Sequence, residues 1–168
     1  MLTYRRLVAR RVLTEVAVIV ALLMVAGVEV AQAARTAALS QSESSLLSAM
    51  NNARVHAGLA PLRLDTRLEA AARAHTREML ATNTFAHGAF ANRIRSVGVR
   101  APRIGENLAW GTGGLSAARA IVSMWLASPE HRANLLHPGY RLVGVGALSG
   151  CFDGRRHTLM VTTDFAGR

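Results

Sequence analysis

Arg141-Leu142-Val143-Gly144-Val145-Gly146-Ala147-Leu148 and His157-Thr158-Leu159-Met160-Val161-Thr162-Thr163-Asp164-Phe165 alternate or run apolar and are rich in β-branched residues. Between them lies Ser149-Gly150-Cys151-Phe152-Asp153-Gly154, which has turn-forming composition. The pattern predicts two antiparallel strands at the C-terminal end. Gly144 and Gly146 offer no side chains within the first of them, which marks the close approach of a neighbouring element. Upstream the spacing is helical, so helices come first and strands last, the order of an α+β domain.

Working back from the strands, Pro129 suits the first position of a short helix with Ser128 as its N-cap. Glu130 and His131 then fall in its first turn. Ser116 is expected to cap a helix through Ile121, Val122 and Trp125, and a shorter one should run from Phe90 to Val97, ended by Gly98. Asn83-Thr84-Phe85-Ala86-His87-Gly88 breaks helical periodicity, which places His87 on a loop. Asp65 caps a helix whose apolar stripe is Leu68, Ala71, Ala72, His75 and Met79. His75 therefore reads as a hydrogen-bonded core residue and stays outside the candidate site. The first helix carries Leu46, Leu47, Met50 and Ala53 and stops at Gly58.

The N-terminus sets Arg5, Arg6, Arg10 and Arg11 before an apolar run from Val16 to Val28 and then Ala31-Gln32-Ala33. This is the order of a secretory signal peptide. We expect residues 1–33 to be that segment, 34–42 a linker and 43–168 one domain facing outward. An uncleaved anchor is the alternative, although the run falls short of the roughly 20 residues of a membrane-spanning helix. The basic side chains number 20, all arginine, and the net charge is +10. Removing four arginines and two glutamates with the leader lowers it to +8. A surface of that sign favours anionic partners such as acidic lipids or envelope polymers. Nucleic acid fits poorly: the arginines are scattered, and aromatic residues, at 5%, are too few for base stacking. Cys151 is the one cysteine. It excludes an intrachain disulfide and reads as a small apolar residue in a strand or turn.

Chemistry-bearing residues gather in three short stretches: Phe85-Ala86-His87, Gly105-Glu106-Asn107-Leu108-Ala109-Trp110-Gly111, and Ser128-Pro129-Glu130-His131-Arg132-Ala133-Asn134. We read each as held by turn or helix-start chemistry. Taken singly they have ordinary explanations, such as a helix-dipole contact for Glu130. Two imidazoles with a nearby carboxylate also form a set that suits zinc, although no HExxH-type spacing fixes the geometry.

These stretches resemble the CAP superfamily of cysteine-rich secretory proteins, antigen 5 and pathogenesis-related proteins, and within it the compact bacterial secreted branch. Asn52-Ala53-Arg54, Gly58-Leu59-Ala60-Pro61-Leu62, Gly144-Val145-Gly146 and Val161-Thr162-Thr163-Asp164-Phe165 add to the likeness, which spans about Leu46 to Phe165. The resemblance implies an α-β-α sandwich with a central antiparallel sheet. It also implies a cleft of two histidines and two glutamates in which the histidines can bind zinc. His87 and His131 match the histidines, and Glu106 matches the glutamate of the Gly-Glu-Asn motif. Adjacent helical residues point about 100° apart. We therefore expect His131 to face the site and Glu130 to be directed elsewhere, with Glu130, Asn107 and Asn134 at the cleft edge or behind its ligands.

Two functions fit. One is a secreted, non-enzymatic module that binds a lipid, peptide or cell-envelope component, with Zn2+ as an optional occupant of the cleft. The other is a zinc-dependent hydrolase, a peptidase or esterase, with the metal on His87 and His131 and Glu106 as general base. The hydrolase needs a third protein donor, which the sequence does not name. A structural envelope protein without a ligand is a third class. A serine hydrolase lacks its nucleophile elbow, and no histidine neighbours Cys151 in sequence.

Overall fold

A computed structural model describes residues 39–168, and Leu39–Arg168 form a self-contained unit. The expected signal peptide or anchor and the first part of the expected linker lie outside the described residues. Helix α1 spans Gln41–His56. Ser40 starts it: its hydroxyl accepts from the Glu43 N–H while the Glu43 carboxylate accepts from the Ser40 N–H. This capping box sets the helix start two residues before the expected domain boundary. Gly58, at φ 72°, turns the chain after it.

Strand β1 is Arg63–Leu64, and α2 is Thr66–Thr82, with the Asp65 carboxylate accepting from the Arg67 and Leu68 N–H groups. Next come α3, Phe90–Ser96, and β2, Arg103–Gly111. A 3-10 turn, Gly113–Ser116, leads to α4, Ala118–Ala127, and α5, Pro129–Leu135. Strands β3, Tyr140–Phe152, and β4, Arg155–Gly167, complete the fold.

Four sequence expectations change here. The stretch carrying Glu106 is a nine-residue strand. Its full-length pairing with β4 supplies the order that Gly105, Glu106 and Asn107 lack by propensity. Ser116 does not cap α4, because its hydroxyl donates to the Gly113 carbonyl inside the 3-10 turn. The C-terminal strands are longer than expected and meet in a two-residue turn. Asp153 at φ 50° and Gly154 at φ 70° give it the left-handed pair that hairpin twist favours. Cys151 is exposed on β3 and not packed, at the register shift between Gly150 and Phe152.

The sheet order is β1-β3-β4-β2, antiparallel except for the short β1–β3 pair. One face meets α1, α4 and α5: Leu46, Met50, Ile121, Trp125 and Leu135 pack against Val143, Val145, Val161 and Phe165. The other meets α2 and α3, with Leu68, Ala71 and Ile94 near Ala166 and Met79 near Leu108 and Met160. The result is an α-β-α sandwich. Among the described residues no helix is long and apolar enough to cross a membrane.

The element that approaches Gly144 and Gly146 is α2. A Cβ on Gly144 would overlap the backbone of Leu68 and Glu69, and one on Gly146 would sit 2.5 Å from the Ala72 carbonyl carbon. The helix therefore rests directly on the strand. Thr76 bridges the seam, its Oγ1 lying 3.2 Å from the Gly146 carbonyl and 2.9 Å from Thr162 Oγ1. On the opposite face Arg54 is fully buried and donates to four carbonyls. Its Nε reaches Ala60 at 3.0 Å, Nη1 reaches Leu135 at 2.8 Å and His137 at 3.1 Å, and Nη2 reaches Tyr140 at 3.2 Å.

Gly144→Ala should force α2 off the sheet and cost about 1–3 kcal/mol, the usual range for overpacking a tight core. Urea unfolding measures this, and an unchanged midpoint would mean that the helix does not depend on that contact.

Candidate functional site

Strand β2 alternates its side chains, so Glu106 points to the α2 and α3 face while Asn107 points toward α5. Glu106 is buried, its side chain 1% exposed. Its Oε1 accepts from His87 Nδ1 at 2.7 Å, and its Oε2 is ion-paired with Arg93 from α3. His87 is 59% exposed, so the same imidazole that touches a buried carboxylate also meets solvent. Its loop is anchored from beneath: His75, buried on α2, places Nε2 2.9 Å from the Ala86 carbonyl. His75 thus acts behind the site, tying down the segment that presents His87.

Helix α5 supplies the other wall. Asn107 Nδ2 donates to the His131 carbonyl at 2.9 Å, while Asn134 Nδ2 lies 3.0 Å from both the Glu106 carbonyl and Asn107 Oδ1. Gly105 leaves room for this clasp, since a Cβ there would stand 2.8 Å from Asn134 Oδ1 and overlap the Tyr140 hydroxyl. Ser128 occupies the N-cap position of α5 without capping it. Its Oγ pairs instead with His131 Nδ1 at 2.8 Å. Both histidines therefore have Nδ1 engaged and Nε2 left as the nitrogen available to a ligand. Burial, followed by the neighbouring His87, lowers the His131 pKa against an opposing pull from Glu130, which favours a neutral imidazole.

His87, Phe90, Gly105, Glu106, Glu130, His131 and Asn134 border one cleft of about 290 Å³. Glu130, exposed in the first turn of α5, also borders the cleft. Of the residues expected from the sequence, His87, Glu106, His131, Glu130 and Asn134 border the cleft. Asn107 stands behind it. Missed were Arg93, Ser128 as the partner of His131, and Asp164.

Residues 47–165 match the family described as the cysteine-rich secretory protein family, CAP. The chain belongs to the CAP family. The uncharacterised protein YkwD of Bacillus subtilis is 32% identical over 113 residues, 64% of this chain and 43% of that protein. An extracellular SCP-domain protein of Bacillus anthracis is similar at a TM-score of 0.64 and 26% identity, over 76% of this chain and 40% of that one. An outer surface protein of Borrelia burgdorferi shares the fold at a TM-score of 0.66 and 22% identity, over 77% of this chain and 94% of its own. The chain thus spans less than half the length of the two Bacillus proteins.

In this CAP domain Asp164 has the most unusual surroundings. It pairs in register with Glu106 on one side and Gly144 on the other, and it is fully buried. Neither of its oxygens has a hydrogen-bond partner. Burial, and then the charge of Glu106, push its carboxyl well above the usual range, with Arg93 opposing. Both effects favour the protonated form of Asp164 beside the Glu106 carboxylate. The motif gave no hint of this, because the pairing exists only once β2 lies beside β4.

A carboxyl with a raised folded pKa holds a proton where the unfolded chain has already released it, so its contribution to stability declines as pH rises through that interval. Asp164→Asn keeps the side chain's size and removes the titration. Relative to the parent chain, the variant should gain stability as pH rises from about 4 toward neutrality. Denaturant unfolding across that range measures the difference, and parallel pH profiles would show Asp164 to be ionised in the fold.

Proposed function

We propose that this CAP domain is an extracytoplasmic, non-enzymatic binding module whose cleft takes a polar segment of a peptide or cell-envelope component. One observation carries the reading: two imidazoles border a single small cleft, each fixed through Nδ1 by a neighbouring side chain, with Nε2 left for a ligand. Glu130 and Asn134 add an acceptor and a mixed donor–acceptor at the rim. Such a set suits amides, hydroxyls and ammonium groups. At about 290 Å³ the cleft is too small and too polar to house a lipid body.

The hydrolase alternative has weaker support. Among the described residues no three His, Cys, Asp or Glu side chains are gathered where they could hold an ion. Glu106 is taken up by His87 and Arg93. Two imidazoles offer a loose site for Zn2+ and fall short of the three protein donors of a catalytic zinc. The residues do not fit that group.

Soluble peptide and glycan fragments of a bacterial envelope, titrated into residues 39–168, should shift amide resonances around His87, His131 and Asn134. A His87→Ala/His131→Ala variant should lose those shifts while keeping its melting temperature. The fragments should be recovered intact after incubation with added zinc. Cleaved fragments would replace the binding reading with the hydrolase.

A further inference from the structure

A second cavity, of about 730 Å³, lies between the start of α2, the connection 98–102 from α3 to β2, and the ends of β3 and β4. It is well within the range of about 300–1,000 Å³ typical of small-molecule sites and far larger than the histidine cleft. Its composition is two-sided. Val99, Ala101, Pro102, Leu142 and Ala166 give it apolar walls. Arg63, Arg67, Arg100, Arg141 and Arg168 border it, and no Asp or Glu side chain does.

Only Arg67 among these arginines has a carboxylate beside it, Asp65 at 2.8 Å. Arg63, Arg100 and Arg141 have none among the described residues. Two of them are nonetheless held in place. Arg100 Nη1 donates to the Arg95 carbonyl at 2.8 Å, and Arg141 Nη1 donates to the Tyr140 carbonyl at 2.9 Å. Each guanidinium keeps further N–H groups in a planar fork that matches a phosphate. Like charges collected around an apolar cavity repel one another, and an anion that enters relieves this. A purely ionic polymer would use the arginines and leave the apolar walls unmatched.

We propose that this cavity binds the head of an anionic phospholipid, with the guanidinium groups on its phosphate and the adjoining glycerol and first methylenes against Val99, Leu142 and Ala166. The site is separate from the histidine cleft and stands whether or not the cleft binds a peptide or envelope segment. It gives the domain an attachment to lipid that needs no spanning helix.

The test is titration calorimetry on residues 39–168, with monomeric dihexanoyl phosphatidylglycerol, dihexanoyl phosphatidylcholine, inorganic phosphate and polyphosphate as probes. Phosphatidylglycerol should bind once per domain, about tenfold or more tighter than phosphatidylcholine or inorganic phosphate, and added salt should weaken it. Arg63→Gln/Arg100→Gln, at two exposed positions, should keep the melting temperature and weaken phosphatidylglycerol by about tenfold. Ala101→Glu, which introduces a like charge into the cavity, should abolish binding. Equal affinity for the two lipids, or an unchanged affinity in the double arginine variant, would overturn the proposal. Polyphosphate binding more tightly than phosphatidylglycerol through the same arginines would overturn it in favour of a polyanion site.

Discussion

A seven-residue helix cannot satisfy its own backbone, because the first four N–H groups and the last four carbonyls of any helix lack partners within it. In α5 these two sets cover almost the whole element. Its carbonyls are met from outside: Arg54, on α1, takes those of Leu135 and of His137 just beyond, and Asn107, on β2, takes that of His131. Asn134 returns the contact to the Glu106 carbonyl. The helix is therefore clasped between α1 and the sheet by hydrogen bonds that would be costly to leave unmade in a buried seam. The same clasp sets His131 opposite His87 and gives the cleft its width.

The second organising feature is electrostatic. Glu106 is a buried carboxylate held by one guanidinium and one imidazole, with the Asp164 carboxyl opposite it in register. A lone buried charge would be expensive, and Arg93 offsets that cost. With His87 Nδ1 and Arg93 both directed at it, Glu106 serves mainly to orient its neighbours. Elsewhere the surface carries an excess of arginine, and around the larger cavity that excess has little internal compensation. The polar cleft and the basic cavity thus meet different chemistries on one small scaffold.

Much of this could be read from the residues. The β-branched run in 157–165 gave β4, Asp65 and the stripe of Leu68, Ala72 and Met79 gave α2, and the glycines at 144 and 146 announced a close helix. Motif positions brought His87, Glu106 and His131 to the same place. What escaped depends on partners remote in the chain. Strand β2 has little intrinsic strand character; its state comes from pairing with β4 and from the Trp125 indole donating to the Leu108 carbonyl. Arg93 and Asp164 became site residues only through Glu106, and Ser128 could have capped α5 as readily as it now holds His131.

The sheet order has a consequence for how the chain is made. Strand β4, residues 155–167, is last in sequence but lies inside the sheet, between β3 and β2. During synthesis β2 emerges without the one strand it pairs with, and all of α4, α5 and β3 must follow before Glu106 can meet Asp164. Early-made helices can form locally, but neither the sheet nor the cleft can close on a partial chain. The sheet can be completed only when residues 155–167 are available to lie between β3 and β2.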